Sequence, residues 1–157
     1  MAPAQRHFHS RSPAETLRLG AELGRRLPPG SFVGLRGDLG SGKTTFCQGL
    51  AIGLGVQDPA AVHSPSFTLV NLYEGPVPLA HLDFYRLSSS DELETIGWRD
   101  LFDDQTVIVV EWVEKILAAV PPSWLEVTLN FGEGDERHIR YTPHGSASAA
   151  WLPPDER

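Results

Sequence analysis

The chain of 157 residues has a single cysteine, Cys47, so it can form no internal disulfide and no Cys-rich zinc site. Cys47 falls on a stretch that reads as helix, where a small apolar side chain suits a buried position. No segment approaches the roughly eighteen consecutive apolar residues of a membrane span, and the first ten residues hold no apolar signal core. These absences predict a soluble, cytoplasmic protein with no membrane partner. Positive charge is scarce too: 13 Lys and Arg stand against 20 Asp and Glu, a balance that repels a polyanion unless the basic groups gather locally. Unaided nucleic-acid binding is therefore disfavoured. The length suits one domain with one buried core and leaves no room for a second.

What is present is a phosphate-loop pattern. Gly37-Asp38-Leu39-Gly40-Ser41-Gly42-Lys43-Thr44 spells G-x-x-x-x-G-K-[ST], and Thr45 follows it. The chemistry explains the spacing. The glycines let successive backbone N–H groups curl around a polyphosphate, Lys43 reaches its β and γ groups, and the Thr44 hydroxyl can ligate Mg²⁺. An apolar run at residues 31–36 supplies the strand that should precede such a loop. Residues 44–52 supply the helix that should follow, with Phe46, Leu50 and Leu54 at helical spacing.

Other local signals organise the remainder. Ser12-Pro13-Ala14-Glu15 is a capping box with proline at the first helical position, and predicts a helix to Leu27. Residues 66–73 and 77–84 read as strands around Glu74-Gly75-Pro76. Ser89-Ser90-Asp91-Glu92 predicts a second capping box and a short acidic helix. The continuous apolar run at 106–112 suits a strand buried on both faces of a parallel sheet. A short helix at 113–120 ends at Pro121-Pro122, and 124–131 with 137–142 alternate as a hairpin. The expectation is an α/β phosphate-loop NTPase domain, three-layered around a mixed, largely parallel sheet, over residues 1–142. Residues 143–157, small, proline-rich and charged, read as a mobile tail.

A nucleotide hydrolase needs acidic groups beside the loop, and the C-terminal ends of neighbouring strands are where open α/β sheets place them. Asp83 and Glu111 each end a predicted strand. A carboxylate there can be simply solvated, or it can hold the metal or orient the attacking water. With the loop in the same chain, Asp83 suits the metal shell, and Glu111 suits water activation with a possible share in the metal. Trp112 either covers a sheet edge or contacts nucleotide or a partner. His63 and His81 have no partner at metal-ligand spacing and read as polar or packing residues. Residues 63–68, containing Ser66 and Thr68, form a polar loop in the position of a nucleotide-sensing switch. No Asn-Lys-x-Asp segment is present, which favours ATP over GTP. The stretch 91–104 has Arg99 as its only basic residue, so an Arg-rich kinase lid is missing and water becomes the favoured acceptor, with Arg86 left to screen the developing charge.

Four segments together resemble the TsaE (YjeE) family: residues 37–46, Ser64-Pro-Ser-Phe-Thr-Leu-Val70, His81-Leu-Asp-Phe-Tyr-Arg-Leu87 and Val110-Glu-Trp-Val-Glu-Lys115. Ser66 replaces the family's usual threonine, and Phe84 its usual leucine. The resemblance implies a weak ATPase that docks on a TsaB–TsaD pair and supports turnover in the biosynthesis of threonylcarbamoyladenosine in tRNA, meeting tRNA only through that complex. It also implies phosphate and Mg²⁺ binding by Lys43 and Thr44 with support from Thr45, metal service by Asp83, catalysis by Glu111, and a functional role for Trp112. A nucleotide-gated binding module without catalysis and a small-molecule phosphotransferase stand as alternatives.

Overall fold

A computed structural model of the chain describes residues 5–65, 70–89 and 91–154. Its seven strands are β1 (Arg6–Ser10), β2 (Phe32–Arg36), β3 (Val70–Tyr73), β4 (Leu79–Asp83), β5 (Val107–Glu111), β6 (Trp124–Phe131) and β7 (Arg137–His144). They form one sheet in the order β1-β7-β6-β2-β5-β4-β3. The central strands β6, β2, β5 and β4 run parallel, and antiparallel pairings of β6 with β7, β7 with β1 and β4 with β3 finish the margins. The most apolar run fills the expected place: every residue of β5 is buried, between β2 and β4.

Helices α1 (Pro13–Arg26) and α2 (Lys43–Leu54) cover one face. The Ser12 hydroxyl accepts from the Glu15 amide at 3.1 Å, so the first capping box forms as its sequence predicts. Gly55, at φ +80°, ends α2 in the left-handed region that glycine adopts without penalty. The two helices meet backbone to backbone. A Cβ on Gly49 would lie 2.2 Å from the Leu17 carbonyl oxygen, and one on Gly20 would lie 2.4 Å from that of Phe46. Beneath them Leu23, Phe46 and Leu50 pack on Val33, Leu35, Val109 and Val127. The other face is covered by short pieces only: α3 (Glu92–Thr95) and 3-10 turns at Trp98–Leu101 and Val113–Ala119, over a core that includes Phe32, Phe84, Trp98 and Trp124.

Several expectations change. The predicted capping box before α3 forms only in part among the described residues: the Ser89 hydroxyl accepts from the Asp91 amide at 3.2 Å, but the Glu92 carboxylate accepts from the Ser88 hydroxyl at 2.6 Å instead of reaching back to Ser89. The helix expected at 113–120 is a 3-10 segment, interrupted at Ile116 (φ −132°). The N-terminal residues, given no element from sequence, form β1. The largest correction concerns 143–157, which is not a mobile tail in its described part. Strand β7 continues to His144, a 3-10 turn spans Ser148–Trp151, and Trp151 and Leu152 pack into the core under α1 and α2. Two large apolar side chains in that stretch provide the driving force, and Arg6 Nε ties it to β1 through the Pro153 carbonyl at 3.0 Å. No helix among the described residues is long and apolar enough to cross a membrane.

Candidate functional site

Parallel pairing brings the ends of β2, β4 and β5 to one edge of the sheet, with Asp83 opposite Glu111 and Glu111 opposite Leu35. Two residues beyond Leu35 the chain enters the loop at Gly37, and Gly42, at φ +102°, turns it into α2. Open α/β sheets bind ligands at this kind of position. A cavity of about 410 Å³ lies there. Its lining runs from Leu39 through Thr45 and includes the carboxylates Asp83 and Glu111 together with Ser64, Tyr85, Arg86 and Trp112. Of the residues expected at the site, Asp38 contributes differently: its side chain is exposed and does not line the cavity, and its carbonyl accepts from Lys43 Nζ at 3.2 Å. Ser66 and Thr68 lie outside the described residues.

Lys43 is only 5% exposed, and its ammonium donates to the Gly37 carbonyl as well as that of Asp38. Burial lowers its pKa, and the charges of Glu111 and Asp83 oppose that shift. Nζ also sits 4.2 Å from the centroid of the Trp112 ring, a cation–π contact. Trp112 holds φ +63°, a strained value for a large side chain, while its amide donates to Leu35 at 3.1 Å. Tyr85 lies beside it, its ring 5.1 Å from that of Trp112.

Asp83 is half-buried. Desolvation raises its pKa; a hydrogen bond from the Tyr85 amide at 2.9 Å opposes the rise, and the Glu111 charge adds to it. Glu111 is 3% exposed. Its Oε2 lies 2.6 Å from His81 Nε2 and accepts from the Ser64 hydroxyl at 2.9 Å, and Ser64 in turn meets the Thr44 hydroxyl at 2.6 Å. Donor atoms of Cys47, His81 and Glu111 all fall within 4.8 Å of one another. Burial pushes the Cys47 thiol well above its ordinary pKa. The hydroxyl of Thr44 and the carboxylates of Asp83 and Glu111 are hard oxygen donors, a set that fits Mg²⁺.

Sequence reasoning gave no individual role to three contributors, two of which, Ser64 and Tyr85, lie in segments it had singled out. Ser64 bridges the loop helix to Glu111, Tyr85 lines the cavity, and Arg137 of β7 grips the loop itself. Arg137 Nε donates to the Ser41 carbonyl at 3.0 Å and Nη2 to that of Gly40 at 3.1 Å. No local pattern signals this role of Arg137, because its partners in the loop lie almost a hundred residues away in the chain.

Comparison with known proteins identifies the family. Residues 10–139 match the sequence profile of the family described as "Threonylcarbamoyl adenosine biosynthesis protein TsaE". Relatives named "tRNA threonylcarbamoyladenosine biosynthesis protein TsaE" include one from Nostoc, 41% identical over 82% of this chain and 80% of its own length. A second, from Treponema pallidum, is 39% identical over 83% of this chain and 95% of its own. A third, from Bacillus subtilis, is 38% identical over 86% and 84% respectively. The crystal structure of Bacillus subtilis YdiB superposes with a TM-score of 0.72 at 32% identity, covering 92% of this chain and 89% of that one. With the family profile spanning 10–139 and relatives near 40% identity along most of the length, this chain belongs to the TsaE family.

Proposed function

We propose that this chain is a cytoplasmic, Mg²⁺-dependent ATPase of the phosphate-loop NTPase fold that acts in tRNA threonylcarbamoyladenosine biosynthesis. In this reading it docks on a TsaB–TsaD pair and meets tRNA only through that complex. One observation carries the catalytic part: Lys43, Thr44, Asp83 and Glu111, which sequence spacing alone cannot bring together, line or flank a single cavity at the start of α2. The names of the relatives carry the biological setting.

The residues divide the work by their surroundings. Backbone N–H groups at the start of α2 face the phosphates, where the helix dipole favours negative charge. Lys43 leaves the carbonyls of Gly37 and Asp38 to pair with the β and γ groups. Thr44 and Asp83 would hold Mg²⁺, which would supply neutralisation of charge on the transferred phosphoryl group. Glu111 orients water, and Arg86 screens developing charge. Trp112 lies over Lys43.

The test measures ATP hydrolysis by the chain alone, then with the TsaB–TsaD pair, then with tRNA added. Lys43→Ala is expected to weaken nucleotide binding, and Glu111→Ala to spare binding while lowering kcat by about a hundredfold or more. Equal loss of binding in both variants removes the role given to Glu111. Absence of both stimulation and association with the pair sinks the partner assignment, and γ-phosphate recovered on a metabolite instead of water makes the chain a phosphotransferase.

A further inference from the structure

His81 lies in the middle of β4, fully buried, yet it is neither apolar nor fully satisfied. Its Nε2 stands 2.6 Å from Glu111 Oε2. An ionised carboxylate only accepts, so Nε2 carries the proton of this bond. Nδ1 is buried and has no partner among the described residues. An orphaned buried nitrogen costs stability that a leucine would not. What the ring's polarity achieves at this position is one short bond to Glu111.

The same oxygen receives a second donor, the Ser64 hydroxyl at 2.9 Å. Both bonds converge on Oε2. Oε1 takes none from a described residue, and Glu111 lines the cavity. We infer that His81 is a positioning residue for hydrolysis: with Ser64 it pins Oε2 and fixes the carboxylate plane, so that Oε1 is the oxygen presented to the attacking water. This rests on the ATPase reading above. In the step served, a water proton passes to Oε1 as the water oxygen bonds to the terminal phosphorus. The bond to the bridging oxygen breaks with its electron pair left on the nucleoside diphosphate, and Glu111 then yields the proton to the released phosphate. The two anchors differ in kind. Ser64 also meets Thr44 at 2.6 Å and so shares its hydroxyl with the loop helix, whereas the His81 ring has no described polar partner other than Glu111.

The experiment compares His81→Gln, His81→Asn and His81→Leu with the parent chain, each with Mg²⁺ and the TsaB–TsaD pair. It reads kcat and KM for ATP, and the affinity for a fluorescent ATP analogue. Gln can place an amide donor near the position of Nε2. Asn places one near Nδ1, and Leu has none. His81→Leu and His81→Asn are expected to lower kcat about tenfold to a hundredfold, the cost of a misplaced catalytic group. Affinity should hold within about twofold and His81→Gln should recover most of the rate. Equal loss in Gln and Asn, or affinity falling in step with kcat, overturns the inference. Should His81→Leu fail to fold, the contrast of Gln with Asn decides alone. A Glu111→Gln control separates the two claims: unchanged hydrolysis there refutes the role of Glu111 itself, whereas lost hydrolysis with normal His81→Asn turnover refutes only the positioning role.

Discussion

The direct contact of α1 with α2 predicts that Gly49→Ala destabilises the protein, against the usual effect of that substitution in a helix. Alanine in place of glycine in a helix interior normally gains about 1 kcal/mol. Here the added Cβ would sit 2.2 Å from the Leu17 carbonyl oxygen, 2.9 Å from the Gly20 Cα and 3.0 Å from the Ala21 amide nitrogen, all backbone atoms of α1. Ordinary contact begins near 3.4 Å, so the two helices must part by about 1 Å, and a helical carbonyl cannot turn aside alone. Overpacking of this kind costs about 1–3 kcal/mol, and the rigid partner places this site near the upper end. Net of the propensity gain, about 2 kcal/mol of destabilisation is expected, or about 4–8 °C in Tm for a domain of this size. Because α2 begins at Lys43 and carries Thr44, the same displacement should weaken nucleotide binding. Thermal unfolding followed by circular dichroism, with titration of a fluorescent nucleotide, measures both. An unchanged or higher Tm would show that propensity outweighs the clash and that the helices are not in the close contact described.

Asp83 supplies a pH dependence. Burial, its leading cause, raises the folded pKa above 3.8, so between 3.8 and that raised value the folded protein holds a proton the unfolded chain has released, and stability falls as pH rises through the window. Asp83→Asn keeps an acceptor for the Tyr85 amide, so it should raise Tm at neutral pH, with the gain shrinking as pH falls toward 3.8, while Mg²⁺-dependent nucleotide binding is lost. A lower Tm at neutral pH would show that attraction between the Asp83 charge and Lys43 outweighs desolvation. Trp112 makes the site observable: Trp98, Trp124 and Trp151 are all buried in the core, so a nucleotide-dependent change in indole emission should come from Trp112 and vanish in Trp112→Phe. Phe keeps a weaker ring beneath the ammonium, and since such contacts are worth about 0.5–2 kcal/mol, affinity should drop less than about tenfold. An emission change that survives the substitution would place the nucleotide elsewhere.

How much of the molecule was legible in its sequence follows from the range of each interaction. The Ser12 cap, the buried run of β5 and the loop pattern depend on residues a few positions apart, and each stands where its local signal placed it. The tail failed as an expectation for the opposite reason. Its composition is that of a loop, and only the hydrophobic surface under α1 and α2, assembled from distant segments, gives Trp151 and Leu152 somewhere to go. β1 was invisible for the same cause, since its partner is β7 at the far end of the chain.

The site divides along the same line. Residues that must bear a particular functional group at a particular spacing, Lys43 and Thr44 in the loop and Asp83 and Glu111 at strand ends, can be found by pattern. Residues that aim those groups cannot, because their identity matters only through a partner far off in sequence: 30 positions separate His81 from Glu111, 47 separate Ser64 from Glu111, and 96 separate Arg137 from Ser41. The aiming contacts are also the ones that must change when the site is used. Thr44 cannot give its hydroxyl to a metal while sharing it fully with Ser64, nor can Lys43 pair with phosphate while capping the carbonyls of Gly37 and Asp38. Each exchange of one hydrogen bond for another nets only about 0.5–1.5 kcal/mol. In the proposed reading nucleotide affinity is therefore a difference between two satisfied arrangements, and Ser64, which meets Thr44, is where the difference is felt. The His81–Glu111 bond need not break in that exchange, so in the proposed reading it holds the Glu111 carboxylate still while its neighbours change partners.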